Sequence, residues 1–457
     1  MKVSRQDNYL CFYRLFLYWL KWVDYFINKR RDLSTPISKK YNMLQTPKGT
    51  RDLLPEEMEK LQKTIDIIRR IFERYGFLQL ETPAFESFDL LSAKGGLGES
   101  VKDEIYYFKD KAERELGLRF DLTMPLARVI MNNPNLPKPF KRYQIGKVWR
   151  YDNPQALRWR EFWQADIDIV GSSSTMADVE CLAAVVDCLK ALDFKDFFIR
   201  INNRKLWQKI FESLYDKEKV IETFRILDKM DKIGEESVKK ELDSKGLNSK
   251  KILEMINKKG SNEEKIKDIK KDYKENEGIK ELEEILRYAK LFGIEDKIKI
   301  DWKLFRGLEY YTGSVFEVMI EEAKVSCGGG GRYDSLIKTI GGPDLPATGI
   351  SLGLDRIVSF IKDFKNSEKR VFVASVSNSL RERALEISQE LRRKGIVSDI
   401  DLMERNISKQ LEYADSLKYP NVVIVGPKEL EKDSVKLRDM KTGKEKLIKI
   451  KELVKSI

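Results

Sequence analysis

The sequence contains no histidine in its 457 residues. Catalysis by a Ser-His-Asp or Cys-His arrangement is therefore excluded, because each needs an imidazole as general base. Every metal site with a histidine ligand is excluded for the same reason. Whatever chemistry the protein performs must depend on carboxylates, arginine, lysine, tyrosine or a bound ion.

Cysteine is also scarce. The sequence has four, Cys11, Cys181, Cys188 and Cys327. No two of them form a C-x-x-C pair and their spacing gives no disulfide framework, so neither a zinc site nor a disulfide scaffold is predicted. This usage is typical of a reducing compartment. We therefore expect a cytoplasmic protein.

Charge, by contrast, is plentiful and unequal in sign. The sequence has 86 Lys and Arg against 74 Asp and Glu, which gives a formal net charge of +12. A basic excess favours a polyanionic partner such as nucleic acid. A lysine-rich solvated surface gives the same excess, so charge alone leaves both interpretations open.

The first 42 residues differ in character from the rest. An aromatic and apolar run over 9–27 is broken by three charged residues, and charges inside a membrane-spanning helix are costly. The run passes into basic residues rather than the small residues of a signal-peptide cleavage site. We therefore expect no membrane span and an N-terminal extension, 1–42, that results from a start codon assigned upstream of Met43. A membrane-surface anchor is the alternative.

The length of the chain suits two or three domains. Between 206 and 295, Lys and Glu dominate and apolar residues recur every three or four positions, which predicts a small helical insertion. Disorder is the alternative over 258–277, where apolar residues become rare. The insertion would divide a core into two parts, 43–205 and 296–363.

A polar stretch over 364–369 has the composition of a linker. The residues after it alternate between apolar runs and helical patterns, with strands predicted over 371–376, 397–401 and 421–425 and helices over 380–394 and 408–417. This alternation predicts a separate α/β domain, 370–457.

Two strands of a hairpin are predicted over 143–151 and 161–170, joined by a polar loop. The hairpin carries several charged residues and one aromatic residue, namely Arg150, Asp152, Arg158, Arg160, Glu161 and Phe162. Arginines that face one another across a sheet repel unless an anion lies between them, and a triphosphate would supply that anion. Scattered ion pairs on a surface hairpin are the alternative.

A glycine-spaced segment follows later in the chain, Gly349-Ile-Ser-Leu-Gly353-Leu-Asp355-Arg356. It predicts a strand that leads into a helix. Small residues permit a flat ligand to approach closely, and Arg356 could stack on a base or bind phosphate. Close packing of a helix on a strand would use the same glycines.

Together, the hairpin and the glycine-spaced segment resemble motifs two and three of the class II aminoacyl-tRNA synthetases. The segment from Arg74-Tyr-Gly-Phe77 to Thr82-Pro83, predicted as a helix end, a turn at Gly76 and a strand, resembles motif one. Order and spacing agree with that family.

Two further segments resemble the histidine-binding signatures of the histidyl branch of this family. They are Arg306-Gly-Leu-Glu-Tyr-Tyr-Thr-Gly313 and Gly328-Gly-Gly-Gly-Arg-Tyr-Asp334. The resemblance extends over 43–457. Two departures are modest: Glu309 stands where an aspartate is usual, and the turn Ala156-Leu-Arg-Trp-Arg160 lacks the more common glycine.

The resemblance implies an α+β fold, with an antiparallel sheet and flanking helices, a helical insertion and a C-terminal α/β anticodon-binding domain. It implies ATP-dependent activation of L-histidine and its transfer to the 3′ end of tRNA(His). It also implies a homodimer joined through motif one. A helix is predicted over 56–75, and its apolar face, Leu61, Ile65 and Ile68, is expected to need cover from the partner.

The ATP site implied by the resemblance comprises Arg150, Asp152, Arg158, Phe162 and Arg356. Arg150 and Arg306 are the implied catalytic residues, which hold the α-phosphate from opposite sides. Phe162 and Arg356 would enclose the adenine, and Arg356 and Arg158 would lie near the terminal phosphates. Mg²⁺ would bridge the phosphates, with no histidine or cysteine ligand.

The implied histidine site comprises Asp121, Thr123, Gln164, Asp168, Arg306, Tyr310, Tyr311 and Tyr333. Asp121 and Thr123, with Gln164 nearby, would meet the α-amino group. Asp168 and Tyr311 would meet the two ring nitrogens. Tyr333 and the glycine run, interpreted as a loop, would close the pocket. Gln164, Asp166 and Asp168 share one strand face, and a register slip of one residue would turn that face away.

Two alternative functions remain. One is a non-catalytic relative, either a regulatory subunit of histidine biosynthesis or a tRNA-sensing module. Such relatives usually lose Arg306 or the C-terminal domain, and both are present here. The other is a class II synthetase for threonine, proline or glycine, which the two intact signatures disfavour.

Overall fold

The structure of the protein is a computed structural model that describes residues 44–93, 104–153, 157–305, 311–321, 325–362 and 369–457. The chain divides into two compact units, Met1–Lys362 and Asp363–Ile457. The predictions made for 1–42, for the segment 306–310 and for most of the linker fall outside the described residues.

The first unit combines strands and helices along the chain. Before the insertion, the elements are α1 (Pro55–Arg74), β1 (Leu78–Gln79), β2 (Phe85–Ser87), α2 (Phe88–Ser92), β3 (Tyr107–Lys109), β4 (Glu115–Leu118), α3 (Thr123–Asn132), β5 (Phe140–Trp149), β6 (Glu161–Val170), α4 (Thr175–Ala191) and β7 (Phe197–Asn203). The helices that follow are α5 (Arg204–Glu212), α6 (Lys217–Leu227), α7 (Met230–Ile233), α8 (Glu235–Ser244), α9 (Ser249–Ile256), α10 (Asn262–Asp272) and α11 (Glu277–Leu291). The unit closes with β8 (Ile298–Ile300), β9 (Ser314–Ile320), β10 (Val325–Arg332), α12 (Leu336–Thr339), β11 (Ala347–Gly353) and α13 (Leu354–Phe360).

An eight-stranded sheet forms the centre of this unit, in the order β1-β5-β6-β11-β10-β9-β7-β8. All neighbours pair antiparallel except the two edge pairs, β1 with β5 and β7 with β8. The predicted antiparallel sheet with flanking helices is confirmed. Strand β6 has the predicted bounds, 161–170. Strand β5 begins three residues earlier than predicted and ends two residues earlier, because its ladder with β6 runs from Phe140 to Trp149.

Helix α1 begins at a proline, carries Glu56 and Glu57 in its first turn and ends at Arg74, an order that suits the helix dipole. Leu61, Ile65 and Ile68 are buried within this chain, and α1 contacts α4 and α13. The expectation that this face needs cover from a partner is therefore wrong.

The strand predicted after Gly76 is shorter than expected. Gly76 has a φ of +75° and supplies the turn. Only Leu78 and Gln79 then form ladder pairs with β5. Beyond them, Thr82 is buried and hydrogen-bonds the side chain of Gln144, so a side-chain contact replaces the backbone ladder.

The helices from α5 to α11 occupy the stretch predicted as a helical insertion. Disorder over 258–277 is wrong for α10, which has a capping box between Ser261 and Glu264 and buries Ile266 and Ile269. Two apolar residues per three turns are enough here, because the cap satisfies the first backbone N–H groups.

The second unit has a five-stranded sheet in the order β13-β12-β14-β15-β16. Its elements are β12 (Arg370–Ser375), α14 (Arg381–Arg393), β13 (Val397–Ile400), α15 (Ile407–Ser416), β14 (Asn421–Val425), α16 (Pro427–Leu430), β15 (Ser434–Asp439), β16 (Glu445–Lys449) and α17 (Leu453–Ser456). The predicted alternation is found in β12 to β14, and β15 and β16 add an antiparallel pair that was not predicted.

Within the part of the chain that the structure describes, no helix has both the length and the apolar character needed to cross a bilayer.

Candidate functional site

A cavity of about 300 Å³ lies against the central sheet of the first unit. Its wall includes eleven of the residues predicted for the site: Asp121, Thr123, Arg150, Asp152, Arg158, Phe162, Gln164, Asp168, Tyr311, Tyr333 and Arg356. Residues from at least four separated segments of the sequence therefore meet around one space. Arg306, Glu309 and Tyr310 lie outside the described residues.

Strand β6 provides the long axis of the cavity. Phe162, Gln164, Asp166 and Asp168 all line it, as a single strand face at period two requires. Phe162 and Asp168 are six residues apart, which corresponds to roughly 20 Å along a strand. The cavity therefore has two ends, one near Phe162 and one near Asp168.

The Phe162 end is basic. The Arg150 guanidinium lies 5.3 Å from the centre of the Phe162 ring, and its Nε donates to the Phe120 carbonyl at 3.0 Å. Arg158 forms an ion pair of 3.1 Å with Asp152. Arg356 donates to the Ser326 carbonyl at 2.6 Å. Three guanidinium groups on the wall of one cavity make a site for a polyanion.

Arg160 belongs to the same hairpin but does not line the cavity. Its guanidinium lies 4.1 Å from the centre of the Tyr151 ring and donates to the Asp152 carbonyl at 2.9 Å. The repulsion expected among the hairpin arginines is therefore relieved in two ways, by an aromatic face for Arg160 and by a carboxylate for Arg158.

Arg51 was not singled out from the sequence. It forms an ion pair of 3.0 Å with Asp355 and lies 4.8 Å from the centre of the Trp159 ring. The other Asp355 oxygen accepts from the Trp163 backbone N–H at 2.7 Å. The Trp163 contact ties Asp355, the second residue of α13, to β6. The next residue, Arg356, is thereby held beside the cavity.

The Asp168 end is acidic and closely packed. Asp168 is buried, forms an ion pair of 2.7 Å with Arg142 on β5, and accepts a hydrogen bond from the Tyr333 hydroxyl. Asp166 accepts from the Ser351 hydroxyl. Arg142 was not recognised from the sequence because it lies one residue before the strand predicted over 143–151, and only the register of the β5–β6 ladder places it opposite Asp168.

Burial governs the protonation of this end. Removal from water raises the pKa of Asp166 to about 7, against the lowering effect of Arg142. Burial also raises the pKa of Asp168, although Arg142 and Tyr333 oppose the shift. Cys327 lines the cavity as well, and burial raises the pKa of its thiol to about 12, so it is not a nucleophile at neutral pH.

Asp121 lies where the chain enters α3. One of its carboxylate oxygens accepts the Met124 backbone N–H at 3.0 Å, and Thr123 is the first residue of the helix. The bond fixes the carboxylate at the cavity wall. A fixed carboxylate and a hydroxyl suit an ammonium group.

The glycine run was interpreted as a loop, and this is wrong. Gly328 to Gly331 lie within strand β10, between β9 and β11. A Cβ atom on Gly330 would lie 2.1 Å from the Gly349 carbonyl oxygen. Because these glycines have no side chains, β10 can pack closely against β11 and still leave room for the cavity.

Gly349→Ala is expected to disturb the Asp168 end of the cavity. The new Cβ would lie 2.0 Å from Oδ1 of Asp168, so the carboxylate must move, and overpacking of this kind costs about 1–3 kcal/mol. We expect the free energy of unfolding to fall by about that amount, measured by chemical denaturation.

Gly353→Ala on the same strand is the matched control. Among the described residues, its Cβ would approach none closer than the Cys327 carbonyl, at 3.6 Å, an ordinary contact. A loss of stability of the same size in both variants would contradict the steric argument.

Comparisons with known proteins agree with this arrangement. A family model described as histidyl-tRNA synthetase matches residues 49–357, and one described as an anticodon binding domain matches 370–457. The chain is 39% identical over 428 residues to the histidine–tRNA ligase of Methanocaldococcus jannaschii, which covers 90% of this chain and 99% of that protein. It is 39% identical over 431 residues to the histidine–tRNA ligase of Korarchaeum cryptofilum, which covers 91% and 98%.

A solved structure is similar too. The crystal structure of histidyl-tRNA synthetase from Nostoc sp. PCC 7120 superposes with a TM-score of 0.79 at 32% identity, and covers 91% of this chain and 98% of that one. The fold, the cavity and the matches along almost the whole length lead to one conclusion: the chain belongs to the histidyl-tRNA synthetase family.

Proposed function

We propose that the cavity is the site where this chain activates L-histidine with ATP, before it transfers the histidyl group to the 3′ end of tRNA(His). One observation carries the assignment: a single cavity has three guanidinium groups near one end of β6 and a buried, ion-paired carboxylate at the other. A triphosphate fits the first end. A small amino acid with a polar ring fits the second.

Adenylation requires no general base. The nucleophile is the substrate carboxylate, which is already ionised near neutral pH. Catalysis therefore depends on positioning and on neutralisation of charge at the α-phosphate. This explains how a chain without histidine can perform the reaction.

We assign Arg150 to the α-phosphate and the histidine carboxylate, with Arg306 opposite it. Arg158 and Arg356 would neutralise the outer phosphates, and Phe162 and Arg356 would enclose the adenine. Arg150 lies against Phe162, so one contact would place both the base and the reacting phosphate. Asp152 would act through Arg158, with which it is paired.

Magnesium would enter with the nucleotide. The acids at the basic end, Asp152 and Asp355, are engaged by arginines. As the family resemblance implies, we assign the magnesium ion to the ATP phosphates.

At the other end, Asp121 and Thr123 with Gln164 would hold the α-ammonium group, and Asp168 with Tyr311 would meet the ring nitrogens. Gln164 Oε1 is buried and has no hydrogen-bond partner within the described ranges. A buried amide oxygen without a donor is costly, and a substrate ammonium would supply one.

Pyrophosphate exchange tests the assignment. ATP–pyrophosphate exchange should require L-histidine and should be at background with threonine, proline or glycine. Exchange with another amino acid would indicate a different synthetase. No exchange with any amino acid would indicate a non-catalytic relative.

We propose that 370–457 binds the anticodon region of the tRNA and that the helices between 206 and 295 form an insertion in a core made of 43–205 and 296–363. Deletion of 370–457 should abolish transfer to tRNA(His) while exchange with free histidine persists. Loss of both would show that the second unit is also needed for folding of the first.

A homodimer is proposed from the family's motif one. Phe85 and Phe108 are exposed, and their rings lie 6.3 Å apart on the small sheet β2-β4-β3. Exposed aromatic clusters are typical of interaction surfaces, so we expect this one at the subunit contact.

Light scattering should give twice the mass of the chain, and the double variant Phe85→Ser with Phe108→Ser should shift the protein towards the monomer. Leu291→Ser, which changes a residue exposed on α11, is the matched control. A monomeric unaltered chain would contradict the proposal.

A further inference from the structure

Arg142 is the most deeply buried charge near the cavity. Its side chain has no exposed surface, and it lies directly opposite Asp168 in the β5–β6 ladder. Its Nη2 is 2.7 Å from Oδ2 of Asp168 and donates to the Leu122 carbonyl at 3.0 Å. Its Nε and Nη1 find no hydrogen-bond partner among the residues that the structure describes.

Such an arginine is costly to keep, because buried donors without acceptors lose their bonds to water. The fold does not use its full hydrogen-bonding capacity. What Arg142 contributes is its positive charge. This charge reaches Asp168 from the neighbouring strand, β5, and not from the cavity.

Asp168 is therefore engaged before any substrate arrives. Arg142 pairs with one of its oxygens and the Tyr333 hydroxyl donates to the other. The carboxylate can still accept a ring N–H, since each oxygen has two lone pairs. Its negative charge, however, is already matched by a positive one.

The other titratable groups within reach of Asp168 complete the balance. They are Asp121 and Asp166 on the cavity wall, Tyr333, and Cys181 on α4. Burial raises the pKa of the Cys181 thiol well above its usual range, so it stays neutral. Asp121 carries the charge that an α-ammonium group would match. Burial raises the pKa of Asp166 to about 7, so Asp166 carries only part of a charge at neutral pH.

We propose that Arg142 is a positioning residue for substrate specificity: by neutralising Asp168 from within the sheet, it makes the pocket select the uncharged imidazole ring and reject the imidazolium. An imidazolium would bring a second cation beside a buried guanidinium, with only the partly ionised Asp166 left to balance it. The inference rests on the proposed function.

The proposal fixes how histidine binding depends on pH. The unperturbed histidine side chain has a pKa of about 6.5. A site that takes only the neutral ring must release the ring proton when pH is below that value, and it exchanges no ring proton at pH 8. The KM for histidine should therefore rise by about tenfold from pH 7.5 to pH 5.5, because only about one molecule in ten is then uncharged.

Calorimetry on the unaltered protein tests this directly. Histidine binding is measured at pH 5.8 and pH 8.0 in buffers of different ionisation enthalpy, which gives the number of protons released. We expect close to one proton at pH 5.8 and none at pH 8.0. The measurement is repeated with Asp166→Asn, in which position 166 cannot titrate. We expect the proton release to persist, which would show that the proton does not come from Asp166.

Arg142→Gln tests the cause. Without the guanidinium, the complex should keep one more proton, shared between the ring and Asp168. The KM for histidine should then increase from pH 7 to pH 8, by up to about tenfold for one proton taken up, whereas the unaltered enzyme is flat in that range. Arg142→Lys retains the positive charge. Its KM for histidine should depend on pH as in the unaltered enzyme, even if KM is higher at every pH.

If Arg142 had a purely structural role, Arg142→Gln would raise KM or lower the melting temperature but would leave the dependence of KM on pH unchanged. Binding at pH 5.8 without proton release, or an unchanged slope in folded Arg142→Gln, would overturn the inference. If Arg142→Gln does not fold, two other measurements test the inference: proton release by the unaltered protein, and the dependence of KM on pH in Arg142→Lys. Failure of histidine to support exchange at any pH would instead overturn the proposed function.

Discussion

Arg150→Ala is expected to lower the rate of adenylate formation by about 100- to 1,000-fold, the usual loss when one preorganised electrostatic donor is removed. Arg150 lines the cavity beside Phe162, and its Nε is fixed by the Phe120 carbonyl. A group held in this way needs no reorganisation as charge develops at the α-phosphorus. The measurement is single-turnover formation of histidyl-adenylate at saturating ATP and histidine.

Lys147→Ala provides the matched control for Arg150→Ala. Lys147 is also cationic and lies three residues earlier, near the end of β5, but it pairs with Glu161 at 2.6 Å and is not part of the cavity wall. We expect its rate to stay within about twofold of the original, since exposed ion pairs contribute little. Equal losses in both variants would show that net charge, rather than the position of Arg150, determines the rate.

Asp168→Asn is expected to raise the KM for histidine by about 10- to 100-fold with the KM for ATP nearly unchanged. A hydrogen bond to a charged group contributes about 1.5–3 kcal/mol, and Asn keeps an acceptor while it loses the charge. Asp168→Ala should have the larger effect on KM. It also leaves Arg142 buried and unpaired, so we expect a loss of stability of about 3–5 kcal/mol.

Glu317→Gln separates the two consequences. Glu317 lies on β9, is buried and forms an ion pair of 2.8 Å with Arg200 on β7. It is not part of the cavity wall. Thermal unfolding should show a lower melting temperature, with the KM for histidine unchanged. If Asp168→Asn weakened ATP and histidine equally, Asp168 would have no special relation to the amino acid.

The sequence was most informative where periodicity and resemblance agreed. Alternation over the hairpin predicted that Gln164, Asp166 and Asp168 share a face, and all three line the cavity. The helix over 56–75 was predicted to within one residue at each end. These features depend on local spacing, which the sequence records directly.

Predictions that depended on contacts distant in sequence were weaker. The apolar face of α1 was assigned to a partner subunit, because the sequence gives no sign that α4 and α13 cover it. The glycine run looked like a loop, because a strand of glycines forms only when both neighbouring strands support it. Arg142 was missed although the hairpin was predicted, because the register that places it opposite Asp168 was not known.

In the second unit, β15 and β16 were missed for a related reason. Strand β16 is largely exposed and rich in lysine, so it lacks the apolar alternation that marks a half-buried strand. Its ladder with β15 defines it instead.

The glycine strand also limits how this pocket could be redesigned. Where β10 borders the cavity, the wall at Gly328, Gly329 and Gly330 is main chain, and no substitution can trim a surface that has no side chain. Room for a bulkier amino acid would have to come from the opposite wall or from Tyr311. Laboratory evolution for enlarged histidine analogues should therefore accumulate changes away from the glycines and leave that strand untouched.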